Sequence, residues 1–345
     1  MNENSVPTLK DIAEAAGVSV ASVSKVLNNR AGVGDESRRK ILENAEKLGY
    51  QVRSLRSLIR AGVDNAVVVT PTEFYSRSTF YEDIIRGLLE EASANSLKLD
   101  VRLISIETGH ALAEIEEILR DLRPGAFIGL GMDQPDVIKR LVAAGIPAVI
   151  INGIDRTMQL SSVLPDNWAA GWLATQRLLS ANHRNIVHVT RPHRLSLRRR
   201  LDGFRVALTE AGITFDYDAH VLDLEKLGAD ASDTPQVMRQ ALQSGRFSDT
   251  TAFFCSTDVI GIGVMQALQS RGFSIPDDRA VIAVDDISIA QHSTPPLTTV
   301  RIDRAELGRV GIQLLLERIN DPETSVRSIN MGVRLIERGS VSNAP

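Results

Sequence analysis

From residue 66 to residue 285 the chain alternates short β-branched runs with stretches whose apolar positions recur every three or four residues. The runs predict strands at Ala66–Thr70, Leu99–Ser105, Ala126–Leu130, Pro147–Ile151, Asn185–Thr190, His220–Asp223, Thr251–Ser256 and Ala280–Asp285. The intervening periodicity predicts helices at Phe80–Ala94, Ala113–Leu122, Pro135–Ala144, Trp168–Ser180, Arg200–Ala211 and Val259–Arg271. Alternation of this kind builds βαβ units, a parallel sheet covered by helices. There are too many units for one small open sheet. Two doubly wound subdomains are expected, with ligand sites at the carboxyl ends of strands.

The first fifty residues are patterned differently and read as all-α. Leu9, Ile12, Ala13 and Ala16 form one apolar stripe, and Thr8 stands three residues before Asp11, the spacing of a capping box. Gly17 breaks this helix, since glycine takes the positive φ of a tight turn. A second helix turns Val23, Val26 and Leu27 inward and leaves Ala21, Ser22, Lys25 and Asn28 outward. A third, from Glu36 to Leu48, buries Ile41, Leu42, Ala45 and Leu48, and the unit ends near Gly49-Tyr50. Two helices joined by a Gly-containing turn form a helix-turn-helix, whose second helix enters the major groove. Small, polar and basic outward residues suit base edges and phosphates. An ordinary helical hairpin has the same spacing.

Charge sharpens the division. The net charge of −4 is split unevenly: residues 1–60 hold 10 Lys and Arg against 7 Asp and Glu, and the remainder 29 against 36. A basic head on an acidic body fits a small DNA reader joined to a large domain that does not bind DNA. The single cysteine, Cys255 in TAFFCS, excludes an intramolecular disulfide and reads as a small buried hydrophobe. The amino terminus lacks the apolar core of a secretion signal, and no apolar run approaches the roughly 18 residues of a membrane span, so a cytoplasmic protein is expected.

The chemistry-bearing motifs are few. There is no P-loop, no HExxH, no Gly-x-Ser-x-Gly and no His/Cys metal spacing, so no catalytic residue, metal or cofactor is expected. Gly261-x-Gly263 lacks the third glycine of a dinucleotide fingerprint. His183, His188 and His193, five apart, read as surface or loop residues, and Trp168 and Trp172 as helix packing.

Thr8 to Asn28, TLKDIAEAAGVSVASVSKVLN, together with VGDESRRKILENAEKLGY from Val33 to Tyr50, resembles the headpiece of the LacI/GalR family of bacterial transcription regulators. The resemblance continues to about Ser340. It implies a ligand-gated repressor that binds a palindromic operator as a homodimer. Its core would be two lobes of periplasmic-binding-protein type, with the effector held between them. The family match places Thr8, Ser19, Val20, Ala21, Ser22, Lys25 and Asn28 at the DNA. It makes Gln51–Gly62 a hinge that pushes an apolar side chain into the minor groove, either Leu58 or Ile59 according to the alignment. Val52 and Arg53 stand where the family usually has Pro and Asn, and a plain tether is the other reading.

For the effector, strand ends and helix starts together with the resemblance give Phe80 as a platform for a sugar ring, Asn152, Asp166 in the Asp166-Asn167 pair that opens a helix, Arg200, Thr257, Asp258 and Asp285. A guanidinium such as that of Arg200 is a planar fork of donors for hydroxyls, carboxylates or phosphates. Asp258 is read either as a ligand contact or as a helix N-cap. Ala283-Val284 replaces the usual Gly-aromatic pair before Asp285. A sugar is the favoured ligand, with purines and nucleosides open. The expected organisation is a headpiece over 1–50, a hinge over 51–62 and a core over 63–345. Lobe 1 would take about 63–160 and 292–325, and lobe 2 about 161–291 and 326–345. The lobe crossings would fall near Asn152–Leu164, Ile287–Pro296 and Asn320–Ile329. No heptad segment follows the core, so a dimer rather than a tetramer is expected. A transport-type binding protein would account for residues 66–340 but not the headpiece, and an α/β hydrolase lacks a recognisable nucleophile and base.

Overall fold

The computed structural model describes residues 8–27, 32–48, 63–72, 79–105, 111–122 and 125–344. Asn28, the Gly49-Tyr50 boundary and the whole of 51–62, with Leu58 and Ile59, lie outside them.

Three helices form the headpiece: α1 (Leu9–Ala16), α2 (Val20–Leu27) and α3 (Asp35–Lys47). The capping box is present. Thr8 Oγ1 accepts from the Asp11 amide at 3.4 Å, and the Asp11 carboxylate accepts from the Thr8 amide at 2.6 Å. Gly17 closes α1 at φ 67°, where no side chain would clash but any L residue would be strained. Ile12, Val23, Val26, Ile41 and Ala45 meet in a small core of their own. Leu48 is instead exposed beyond the end of α3.

The rest of the chain contains two six-stranded sheets. The strands are β1 (Asn65–Pro71), β2 (Lys98–Ile104), β3 (Ala126–Leu130), β4 (Ala148–Ile151), β5 (Ser161–Pro165), β6 (Ile186–Thr190), β7 (Val221–Asp223), β8 (Ala252–Cys255), β9 (Ala280–Asp285), β10 (Thr298–Arg301), β11 (Ser328–Met331) and β12 (Arg334–Ile336). The helices are α4 (Phe80–Ala94), α5 (Ala111–Asp121), α6 (Pro135–Ala144), α7 (Asn167–Ser180), α8 (Leu195–Glu210), α9 (Tyr217–His220), α10 (Thr234–Gln243), α11 (Asp258–Ser270), α12 (Ser288–His292) and α13 (Arg304–Asn320). The first sheet runs β11-β5-β4-β3-β1-β2 and the second β12-β10-β9-β8-β6-β7. Every pairing is parallel except β10 with β12.

Alternate strand residues face different helical layers. Val67 and Val69 join one apolar cluster while Ala66 and Val68 join another, and Phe253 and Cys255 are likewise separated from Ala252 and Phe254. This is why the strands read as near-continuous apolar runs.

The chain passes between the sheets after β5, after β10 and after β11. These crossings fall later than expected. The first lies at Pro165–Asn167 rather than before residue 164, and the second at Arg301–Arg304 rather than near 287–296. The third lies between Met331 and Arg334 rather than near 320–329. Ser161–Pro165 and Ser328–Met331 therefore belong to the first lobe, and Thr298–Arg301 to the second. In each lobe two helices cross at glycines. A Cβ on Gly87 would lie 2.0 Å from the Ala305 carbonyl oxygen, and one on Gly171 2.0 Å from that of Arg200. The α7–α8 approach thus fixes the backbone of Arg200.

Residues 338–344 are stitched across the second lobe. Thr298 N donates to Ser340 Oγ at 2.8 Å, Ser340 Oγ donates to the Val281 carbonyl at 2.6 Å, and Ala344 N donates to the Ala181 carbonyl at 2.7 Å. His183 Nε2 lies 3.1 Å from the Ser342 carbonyl oxygen.

Candidate functional site

The carboxyl ends of β4, β8 and β9 and the starts of α4, α7, α8 and α11 converge between the lobes. Helix α8 begins at Leu195, five residues earlier than expected, so Arg200 lies inside the helix and is 3% exposed. Its Nε donates to Asn167 Oδ1 at 3.0 Å, and its Nη1 donates to the Ser256 carbonyl and lies 3.1 Å from Asp285 Oδ1. Burial raises the pKa of the Asp285 carboxyl, and the guanidinium of Arg200, followed by those of Arg304 and Arg194, offsets only part of that rise.

Asp258 stands behind this pair with no exposure. Thr299 Oγ1 donates to its Oδ1 at 2.5 Å and the Ile287 amide to its Oδ2 at 2.8 Å. Burial, followed by the neighbouring Asp285 charge, pushes its pKa well up. It is not the N-cap of α11. Thr257 is, with Oγ1 accepting from the Ile260 amide at 3.3 Å. Asp258 thus bonds within its own lobe and shows no face to a cleft. Asp166 caps α7 by accepting from Ala169 N at 2.9 Å, and its neighbour Asn167 is the residue that reaches Arg200.

From the first lobe come Phe80, Tyr81 and Asn152. Asn152 directly follows β4 at φ 53°, and its Nδ2 donates to the Tyr81 hydroxyl at 3.1 Å. Arg194, at the N-cap of α8, reaches across the gap. Its Nη1 donates to the Tyr81 hydroxyl at 2.7 Å, and its Nη2 to the Gly131 and Asn152 carbonyls at 3.3 Å each. Arg304 reaches the other way. It donates to Asp83 Oδ2 at 2.8 and 3.0 Å within its own lobe, and to the Asp285 and Asp286 carbonyls of the second. Its guanidinium lies 5.8 Å from the centroid of Phe80, a side chain only 7% exposed. Phe80 is therefore a packed wall rather than an open platform. A cavity of about 380 Å³ opens beside Arg304, lined also by Thr79, Glu82, Asp286 and Arg301.

The structure brings Asn152, Arg200 and Asp285 to one inter-lobe region. Tyr81, Arg194, Asn167 and Arg304 also converge there. Of these only Asn167 had a sequence signal, the Asp-Asn pair opening α7. Of the histidines, His183 and His193 lie in loops as expected, and His188 does not. His188 lies wholly buried on β6, stacked 4.2 Å from Phe254 with Nδ1 3.0 Å from the Phe254 carbonyl oxygen, and burial lowers its pKa to about 3. His183 is also buried. Among the described residues no cluster of three His, Cys, Asp or Glu has metal-binding geometry, and no helix is long and apolar enough to cross a membrane.

In the headpiece Ser19, Val20, Ala21 and Lys25 are exposed together, and Val20 is 45% exposed at the start of α2. Ser19 Oγ accepts from Ser22 N at 3.1 Å, which starts the helix. Thr8 is exposed with Oγ1 donating to Asp11 at 2.7 Å.

Residues 8–52 match the bacterial regulatory proteins of the lacI family, and residues 175–341 match the periplasmic binding protein-like domain. The front of the chain is thus similar to the lacI-family DNA-binding segment, and its core to the periplasmic-binding-protein fold. The ribose operon repressor of Haemophilus influenzae is 28% identical over 349 residues, covering 97% of this chain and 98% of that repressor. The transcriptional repressor PurR of Vibrio cholerae is 27% identical over 352 residues, with the same coverage. Among solved structures, the cellobiose complex of the transcriptional regulator CelR superposes with a TM-score of 0.71 at 26% identity, covering 97% of this chain and 99% of that one. The chain is therefore similar over nearly its full length to proteins named as transcriptional repressors, and carries a helix-turn-helix in front of a two-lobed α/β core.

Proposed function

We propose that the protein is a ligand-responsive transcriptional repressor that binds operator DNA as a homodimer and holds a sugar or sugar-like effector between its lobes. The observation that carries the reading is the buried Arg200–Asp285–Asn167 group at the lobe junction in a chain that also has an exposed helix-turn-helix face. Directional donors and acceptors of this kind satisfy hydroxyl groups pairwise, and a pocket between lobes is where ligands of such folds bind. Ribose and cellobiose in the names of two relatives favour a sugar, and a purine or nucleoside is the second reading. Arg200, Asp285 and Asn152 are assigned to the effector, with Thr257, Asp166 and Phe80 at its margin and Asp258 as their support. Thr8, Ser19, Val20, Ala21, Ser22, Lys25 and Asn28 are assigned to DNA, and Leu58 or Ile59 to the minor groove.

Residues 1–50 form the reader and 51–62 the link. Lobe 1 takes 63–165 and 302–331, and lobe 2 takes 166–301 and 332–344. Because a ligand that closes the lobes also biases the reader, effector and operator affinities are linked reciprocally. The exposed side chains of Val101 and Leu103 on the edge strand β2 offer the apolar surface a second copy covers.

A thermal-shift panel of ribose, cellobiose and purine bases, run on the wild type and on Asp285→Asn, tests the reading. A ligand that stabilises the wild type and not the variant supports it. It fails if Asp285→Asn and Arg200→Lys respond like the wild type, or if gel shifts with the upstream DNA of its own operon show no salt-dependent binding.

A further inference from the structure

Asp285 and Asp286 follow one another with φ of 124° and 54°, a conformation that non-glycine residues rarely hold. Such a shape persists where its surroundings over-determine it. Four arginines do so here. Arg200 pairs with the Asp285 side chain, and Arg304 binds both main-chain carbonyls. The Asp286 carboxylate takes Arg301 on one oxygen and Arg338 on the other, the latter at 2.5 Å. Arg301 is the last residue of β10, just before the second crossing. Arg338 stands two residues past β12, just after the third. Burial would raise the Asp286 pKa, but Arg338 and Arg301 outweigh it and keep the group ionised, held below the usual carboxylate range.

We infer that Asp286, whose carboxylate bonds Arg301 and Arg338, is a positioning residue. It holds Asp285 against Arg200 and ties that grip to the second and third crossings. A ligand that competes for Arg200 or Asp285 then disturbs a turn whose other side is bonded to the strands about which the lobes move. The inference rests on the reading of Arg200 and Asp285 as the effector grip, so its test is made without ligand and stands apart from the thermal-shift panel.

The test is hydrogen exchange on the full-length protein in a double-mutant cycle. Asp286→Asn keeps the size and tolerates the positive φ, but loses the charge that holds Arg301 and Arg338. Asp285→Asn loosens the grip while keeping its shape, and stands in for Arg200→Ala should that variant fail to fold. Each single variant should speed exchange of the amides at 300–303 and 334–338 about tenfold or more, the scale of a lost hydrogen bond to a charged group. The double variant should be no faster than either, with β1 and β3 unchanged in all three. Multiplying effects in the double variant would overturn the inference. So would wild-type rates at the crossings in Asp285→Asn, or a rise spread evenly over both lobes in Asp286→Asn.

Discussion

Gly171→Ala should damage ligand binding without touching any ligand-facing side chain. A Cβ at this position would lie 2.0 Å from the Arg200 carbonyl oxygen, 2.8 Å from its carbonyl carbon and 2.9 Å from its Cα. Both partners are helix backbone, so no side chain can swing aside. Relief to even 3.0 Å requires α7 and α8 to part by about 1 Å, and overpacking of this kind costs about 1–3 kcal/mol. The gain in helix propensity from Gly to Ala, about 1 kcal/mol, offsets part of that. The larger effect falls on Arg200. Moving its backbone by about 1 Å stretches the 3.1 Å contact to Asp285 and the 3.0 Å bond to Asn167 beyond hydrogen-bond range. With a charge-assisted bond worth about 1.5–3 kcal/mol, ligand affinity should fall roughly tenfold to a hundredfold. Isothermal titration with the ligand found in the thermal-shift panel measures this. Gly125→Ala is the control. Its Cβ would lie 2.3 Å from the Leu122 carbonyl oxygen, just ahead of β3 and at the strand end away from the cleft. It should lower the urea midpoint comparably and leave affinity within about twofold. Wild-type affinity in Gly171→Ala, or equal loss in both variants, would refute the steric argument.

Three further outcomes are expected. His188 titrates near 6.5 when unfolded and near 3 in the fold, so the unfolded chain takes up a proton the native state refuses. Its contribution is intact above pH 6.5 and is lost as pH falls toward 3, by about 2 kcal/mol near pH 5; urea titrations should show a flatter acid limb in His188→Phe. Lys25→Ala should weaken operator binding across sequences and reduce the slope of log affinity against log salt by about one, measured by fluorescence anisotropy. Val101→Asp with Leu103→Asp should shift sedimentation from dimer toward monomer, and an unchanged dimer would remove β2 from the interface.

What the sequence disclosed was mostly local. Thr8, Asp11 and Gly17 act within a few residues of themselves, and their cap and turn are present as read. The strands whose layers are apolar on both faces were legible for the same reason. The short polar ones were not. Ser161–Pro165, Thr298–Arg301, Ser328–Met331 and Arg334–Ile336 are three to five residues long, and only the sheet each joins makes it a strand. The lobe boundaries moved with them. Arg200 and Asp285 were found through the family resemblance, whereas Arg194 and Arg304 act on partners 113 and 221 residues away and left no trace in spacing. His188 was misread because burial on a parallel strand depends on helices that pack over it later in the chain.

The stitching of residues 338–344 has a bearing on biosynthesis. The second lobe begins at residue 166, yet His183, Val281 and Thr298 find partners as late as Ser340 and Ser342. A ribosome that has delivered residues 166–301 of that lobe has yet to deliver the segment that closes it. Removal of residues 338–344 should therefore yield a product that proteases clear.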